Sequence, residues 1–126
     1  METKDYVKAT ADFNKVIALD PSDSEAYYNR GTIAYRQKQY TQAIADLDKY
    51  IAMNQADPRY MADGYDNRGL AYFYSGNTLK AIADFTKAIE LAPDSKNGYE
   101  YRALAYRKLN KIALAEADEK KAASLK

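Results

Sequence analysis

Tyr65-Asp66-Asn67-Arg68-Gly69-Leu70-Ala71-Tyr72 lies over Tyr99-Glu100-Tyr101-Arg102-Ala103-Leu104-Ala105-Tyr106 with every pair of equivalents 34 positions apart. Tyr27-Tyr28-Asn29-Arg30-Gly31 falls on Tyr65 to Gly69 at an offset of 38. A second block repeats in step. Ala43-Ile44-Ala45-Asp46-Leu47 matches Ala81-Ile82-Ala83-Asp84-Phe85 at 38, and Ala9-Thr10-Ala11-Asp12-Phe13 matches Ala43 to Leu47 at 34. A period of this length marks a repeat architecture, in which each unit buries its apolar face by stacking on the next.

Both blocks read as helices. Ala81, Ile82, Phe85, Ala88, Ile89 and Leu91 recur mostly at three- and four-residue steps, and Tyr65, Gly69, Tyr72 and Phe73 keep the same rhythm. That spacing puts them on one helical face. Asp20-Pro21-Ser22 and Ala92-Pro93-Asp94 are turn signals between helices. Ser22 with Glu25 predicts a capping box for the helix that follows. Ser75-Gly76-Asn77 predicts a tight link inside a hairpin, with Asn77 as N-cap.

The period and its residues resemble the tetratricopeptide repeat (TPR). That family's pattern runs from a bulky aromatic to a small residue four places on, a Tyr, a small Ala opening the second helix, an aromatic, another Ala and a closing Pro. Tyr65, Gly69, Tyr72, Ala81, Phe85, Ala88 and Pro93 supply it in order. The resemblance covers essentially the whole chain. It implies an all-α fold, a right-handed α-solenoid of helix-turn-helix hairpins with three TPR repeats and a leading helix. The expected organisation is a single domain over 1–126. Within it, 5–21 is the second helix of a truncated repeat and 22–57 is repeat 1. Repeat 2, with an extended first helix, takes 58–94, and repeat 3, with a polar capping helix, takes 95–126. Gly69 and Ala81 are expected to be small because the antiparallel helices of a hairpin approach closely there.

Two departures carry information. Four residues are added around Met53-Asn54-Gln55-Ala56-Asp57-Pro58, about one helical turn, which predicts a longer helix capped by Asp57 with Pro58 in its first turn. Glu116, Glu119 and Lys120 stand where the previous copy has Ile82, Phe85 and Thr86, so the last helix reads as a solubilising cap.

Composition narrows the function. There is no Cys and no His, and 19 basic residues balance 18 acidic ones. The commonest metal ligands and nucleophile–base pairs are thereby absent, and so is a charge reason to expect nucleic acid or an anionic membrane. With 29% charged residues and only short apolar runs, the chain is expected to be soluble, without a signal or membrane-spanning segment; whether it is a piece of a larger protein is left open. No cofactor, metal or catalytic residue is expected. Glu25, Asp63, Asp66 and Glu100 read as acids on open first turns of separate helices, where the helix dipole accounts for them.

The resemblance implies instead a protein–protein interaction module that binds a peptide or protein segment in a groove lined by the first helices. Tyr28, Asn29, Thr32, Tyr35, Arg36, Asn67, Leu70, Phe73, Tyr74, Asn97, Tyr101 and Arg107 are the expected groove residues. Aromatic rings offer contact area at small entropic cost, and Asn side chains can hold a peptide backbone from both sides. One subfamily grips the free carboxylate of tails ending in Glu-Glu-Val-Asp with Lys, Arg and Asn. Here only Asn67 (or Asn29 in a shifted frame) matches, while Tyr28, Thr32, Asn97 and Tyr101 stand where its bases would sit, so that clamp is not expected. The acidic edge should disfavour acidic peptides. The alternative role is a structural spacer or weak homo-oligomer built through the first helix, whose Phe13, Val16 and Ile17 lack a preceding helix to bury them.

Arg30, Arg68 and Arg102 recur in register with Asp12, Asp46, Asp84 and Asp118. The two columns can pair within hairpins or between them, or the arginines can serve acidic ligands. Tyr27, Tyr65 and Tyr99 fill the aromatic core column.

Overall fold

The computed structural model describes residues 3–54 and 56–125. Gln55 in the inserted stretch, and the terminal Met1, Glu2 and Lys126, lie outside the described residues. Among the described residues there are seven helices and no strand: α1 (Thr3–Leu19), α2 (Ser24–Arg36), α3 (Tyr40–Met53), α4 (Pro58–Tyr74), α5 (Thr78–Leu91), α6 (Lys96–Lys108) and α7 (Ile112–Ser124). Each helix packs on the next, and α2, α4 and α6 also touch one another in series. The result is an all-α solenoid.

Helix ends follow local chemistry. Asp57 caps α4 by accepting from the Arg59 and Tyr60 amides, Pro58 opens the helix, and α4 runs 17 residues against 13 for α2 and α6. The four added residues thus become one more helical turn. Asn77 caps α5 through the Lys80 amide at 3.4 Å. The capping-box expectation fails: Asp23 caps α2 by accepting from the Ala26 amide at 3.1 Å, and Ser22 instead donates to Asp20. Asp20 is an aspartate right after a helix, and its carboxylate draws in the Ser22 hydroxyl before that hydroxyl can reach forward.

The three hairpin turns are copies of one another. Gln39, Asn77 and Lys111 each return their amide at 2.8 Å to the carbonyl of Ala34, Tyr72 and Tyr106 respectively, the 6→1 closure of a Schellman motif. The residue before each is left-handed: Lys38 at φ 62, Gly76 at φ 95 and Asn110 at φ 59. Only Gly76 takes that conformation without a Cβ penalty.

Helices meet through alanines. Ala43, Ala71, Ala81, Ala105 and Ala115 are all fully buried. Ala34, Ala43 and Ala71 form one cluster across the first hairpin and α4, and Ala81, Phe85 and Ala105 form another across the second hairpin and α6. A methyl is the largest group that fits where two backbones approach this closely. Gly69 is tighter still. A Cβ there would lie 2.5 Å from Cε1 and 2.8 Å from Cδ1 of the fully buried Phe85. The close approach expected at Gly69 is therefore to the Phe85 ring. The third repeat confirms the logic: Glu119 replaces the Phe, its side chain turns outward, and Ala103 occupies the glycine position while only 2% exposed. Gly69→Ala should destabilise the fold. Overpacking costs about 1–3 kcal/mol and outweighs the ~1 kcal/mol gained in helix propensity. Thermal melting is the check, and Phe85→Leu in the same chain should recover much of the loss.

The arginine column pairs within hairpins. Nε and Nη2 of Arg30, Arg68 and Arg102 fork Asp46, Asp84 and Asp118 at 2.7–2.9 Å. Nη1 reaches back to the preceding unit, to Asn14, Asp48 and Thr86. The same guanidinium groups lie over the rings of Tyr27, Tyr65 and Tyr99 at 5.6, 5.2 and 6.0 Å. Of those three rings only Tyr27 is buried; Tyr65 and Tyr99 keep an edge in water. At the chain's ends the exposures differ in kind. Val7 and Leu19 on α1 are 62% and 88% exposed, whereas α7 presents Glu116, Glu119 and Lys120 to solvent.

Candidate functional site

α2, α4 and α6 bring most of the expected groove residues onto a common face, knitted by rings and one amide. Asn67 Nδ2 donates to the Tyr28 hydroxyl at 2.8 Å and to the Asp63 carbonyl at 2.9 Å. Both amide hydrogens are thus engaged, and only its carbonyl oxygen remains to hold a ligand backbone. Tyr28 rests on Tyr50, with ring centroids 4.8 Å apart. Tyr35 meets Tyr74 across the α2–α4 step at 6.1 Å and Tyr40 at 6.1 Å. Phe73 stands edge-on to Tyr74 at 5.0 Å, and Tyr101 lies on Phe85 at 5.6 Å. Tyr74 is 52% exposed, the most accessible of these rings; Tyr28, Tyr35, Leu70, Phe73 and Tyr101 are half-buried.

The remaining predicted positions are less engaged with this face. Thr32 returns its hydroxyl to the Tyr28 carbonyl at 2.8 Å, one turn back. Arg36 and Asn97 are exposed. Arg107 commits its guanidinium to a bidentate pair with Glu119 on α7, at 2.6 and 2.7 Å. Asn29 lines a cleft of about 360 Å³ together with Glu25, Tyr28, Tyr50, Tyr60 and Asp63.

Two residues in that cleft were not expected there. Tyr60 belongs to the extra turn of α4, and the inserted four residues were its only signal. Tyr50 belongs to a second helix, where the equivalent positions carry Val16 and Ala88. Its bulk is accommodated by Gly64, where a Cβ would sit 2.9 Å from Tyr50 Cδ2.

A second cleft of about 270 Å³ lies on the other side of Tyr60 and Asp63, toward α5 and α6, and Asp66 lines it. The sequence placed Asp66 on an open first turn. The structure overturns this: it is the ninth residue of α4, only 8% exposed, and its Oδ1 is buried without a hydrogen-bond partner. Burial pushes its carboxyl up to about 7, with the charges of Asp63 and Asp84 adding to the effect. Burial, then the nearby Asp57, also raises Asp63. The tyrosines follow the same physics. Tyr35 and Tyr50 are pushed up to about 12 by burial first and by neighbouring phenols or carboxylates second. Tyr101 is raised by burial and then by Asp66 and Glu100. Of the four acids only Glu25 sits in a first turn; Asp63 and Glu100 fall in the second turns of α4 and α6, so the face is aromatic along its length with its acids set inward from the helix starts.

Two sequence profiles of the tetratricopeptide repeat match the chain, over residues 1–62 and 62–95. The chain belongs to the tetratricopeptide repeat family. Among curated proteins this TPR chain is similar to the mitochondrial import receptor subunit TOM34 of Mus musculus, 42% identical over 65 residues, and of Rattus norvegicus, 40% identical. The match spans 52% of the chain and about a fifth (21%) of the length of those relatives. Among solved structures, MamA from Desulfovibrio magneticus RS-1 superposes with a TM-score of 0.87 at 28% identity, covering 97% of this chain and 67% of that one. The second TPR of Spaghetti (RPAP3), solved with the HSP90 peptide SRMEEVD, gives 0.74 at 24% identity, covering 86% and 98%.

Proposed function

We propose that the chain is a protein-interaction module that holds a peptide or protein segment along the face formed by α2, α4 and α6. The observation that carries this reading is the run of half-exposed rings across successive first helices, from Tyr28 and Tyr35 through Tyr74 to Tyr101. Family membership supports an interaction role, and one structural neighbour was solved with a peptide bound. Large, rigid, amphipathic side chains in a row are the usual anchors of a recognised segment. The Lys and Arg residues that would grip a terminal carboxylate are absent, and the acids near Tyr28 and Tyr101 oppose an anionic ligand.

The test must respect the packing. Tyr28 and Tyr101 rest on Tyr50 and Phe85, so truncating them to Ala would unsettle the fold along with the face. Tyr74→Ala, combined with Tyr28→Phe, keeps the rings that rest on Tyr50 and Phe85 and removes a half-exposed anchor and the hydroxyl bound to Asn67. This variant should melt like the parent and lose at least about tenfold in affinity for octapeptides selected from a random library, the loss expected of a central anchor. Equal enrichment by parent and variant would move recognition off this face. The exposed Val7 and Leu19 of α1 would then favour the alternative, a spacer or self-association unit, read as a mass that rises with concentration.

A further inference from the structure

Among the described residues four aspartates are buried: Asp46, Asp66, Asp84 and Asp118. Three of them have a bidentate arginine. The fourth, Asp66, has none, and its Oδ1 meets no donor at all. Nor does the repeat require a buried acid there: the equivalent position in the first repeat is Tyr28, and in the third it is Glu100, which is exposed. An unpaired buried carboxylate is costly, so the fold carries at this one place a charge that its own scaffold neither needs nor neutralises.

The surroundings indicate what would neutralise it. Asp63 stands one turn away in the same cleft and makes no ion pair among the described residues. Arg59 is at the rim, but its guanidinium is turned to Asp94 at 3.0 Å. The remaining walls include Tyr60, Ala62, Ala88 and Ala92. Methyls and a ring flanking two carboxylates suit a long aliphatic stem that ends in a cation. Resting on the reading of this face as a peptide-binding surface, we propose that Asp63 and Asp66 receive a basic side chain, lysine or arginine, of the bound segment. Recognition is thus the reverse of a carboxylate clamp: the protein supplies the acids and the ligand the base.

The probe is a random octapeptide library panned at pH 8 against the parent, Asp66→Asn, Asp63→Asn and the Tyr74→Ala/Tyr28→Phe variant. Peptides enriched by the parent should share a Lys or Arg at one position. Replacing it with norleucine or citrulline should weaken binding to the parent at least about tenfold, read by fluorescence anisotropy, and binding to Asp66→Asn by less than about twofold. Asp63→Asn should give an intermediate loss. Enriched peptides with no shared basic position, or an equal loss on parent and Asp66→Asn, would overturn the proposal while leaving the peptide-binding face intact. Peptides enriched equally by the tyrosine variant would instead defeat the peptide-binding reading itself, and the proposal with it.

Discussion

At pH 8 the Asp66→Asn protein is expected to melt higher than the parent, and the gap should close as the pH falls toward 4. Burial raises the folded-state carboxyl to about 7, whereas in an unfolded chain an aspartate titrates near 3.9. Above pH 7 the group is ionised in both states, and the native state carries the whole penalty of an unpaired buried charge. Between about 7 and 4 the native protein takes up a proton that the unfolded chain does not, so stability rises as the pH falls. Below that window both states are protonated and the penalty is gone. A shift of some three units corresponds to ~4 kcal/mol. Asn retains a buried polar amide, so the gain at pH 8 should be nearer 2–3 kcal/mol, on the order of 10 °C in melting temperature. Melting both proteins from pH 4 to pH 8 is the check. Two parallel curves would mean that Asp66 is neutralised in the native state and carries no such penalty.

Arg68→Ala should be among the most damaging single changes in the chain. Arg68 forks Asp84, holds Asp48 at 2.8 Å and stacks over Tyr65. The Asp84 side chain is only 8% exposed and lies close enough to Asp66 to perturb it. Truncating the arginine leaves two buried carboxylates near one another with no hydrogen-bonded cation, Lys80 acting on Asp84 only through space, and breaking a buried pair in this way costs about 3–5 kcal/mol. Replacing both partners, as in Arg68→Met with Asp84→Leu, removes the uncompensated charge as well as the bond. The double variant should therefore recover most of that loss. Arg107→Ala is the internal control, because Arg107 and Glu119 are each nearly half exposed and such a pair is worth ~1 kcal/mol or less. Urea denaturation of the set tests this. A loss for Arg68→Ala as small as that for Arg107→Ala would show that the Asp84 carboxylate is effectively solvated.

Much of this architecture could be read from residue spacing alone. The period separates the hairpins, and the 38-residue interval foretells the longer α4, because four residues inserted between capped helices are accommodated as one turn. The arginine and aspartate columns were visible too, though not their connection. Sequence equivalence cannot say whether Arg68 turns to Asp84 or to a neighbouring unit, and in fact it does both with different nitrogens. Positions off the repeating columns were the hardest. Asp66 looks like any acid near a helix start until the extra turn of α4 places it mid-helix under α5 and α6. Tyr50 enters the face from a second helix only because Gly64 leaves room. Ser22 lost its capping role to Asp23, one residue along, because Asp20 competes for its hydroxyl. Each of these outcomes depends on a neighbour distant in sequence or on competition between adjacent polar groups, and neither has a period.

The backward contact of each arginine also sets how the solenoid deforms. Arg30 ties its hairpin to the preceding helix through the Asn14 amide, Arg68 through the Asp48 carboxylate and Arg102 through the Thr86 hydroxyl. All three bonds have a guanidinium donor and are charge-assisted, and only Asp48 adds an acceptor that is itself charged. The middle joint also has the most extensive helix packing, α3 on α4, so the three joints are springs of unequal stiffness, with the middle one expected to be stiffest. Under a bending load the curvature change collects at the two outer joints. The central pair of hairpins, which carries Tyr28, Asn67 and Tyr74, then moves as one rigid block while the ends pivot about it.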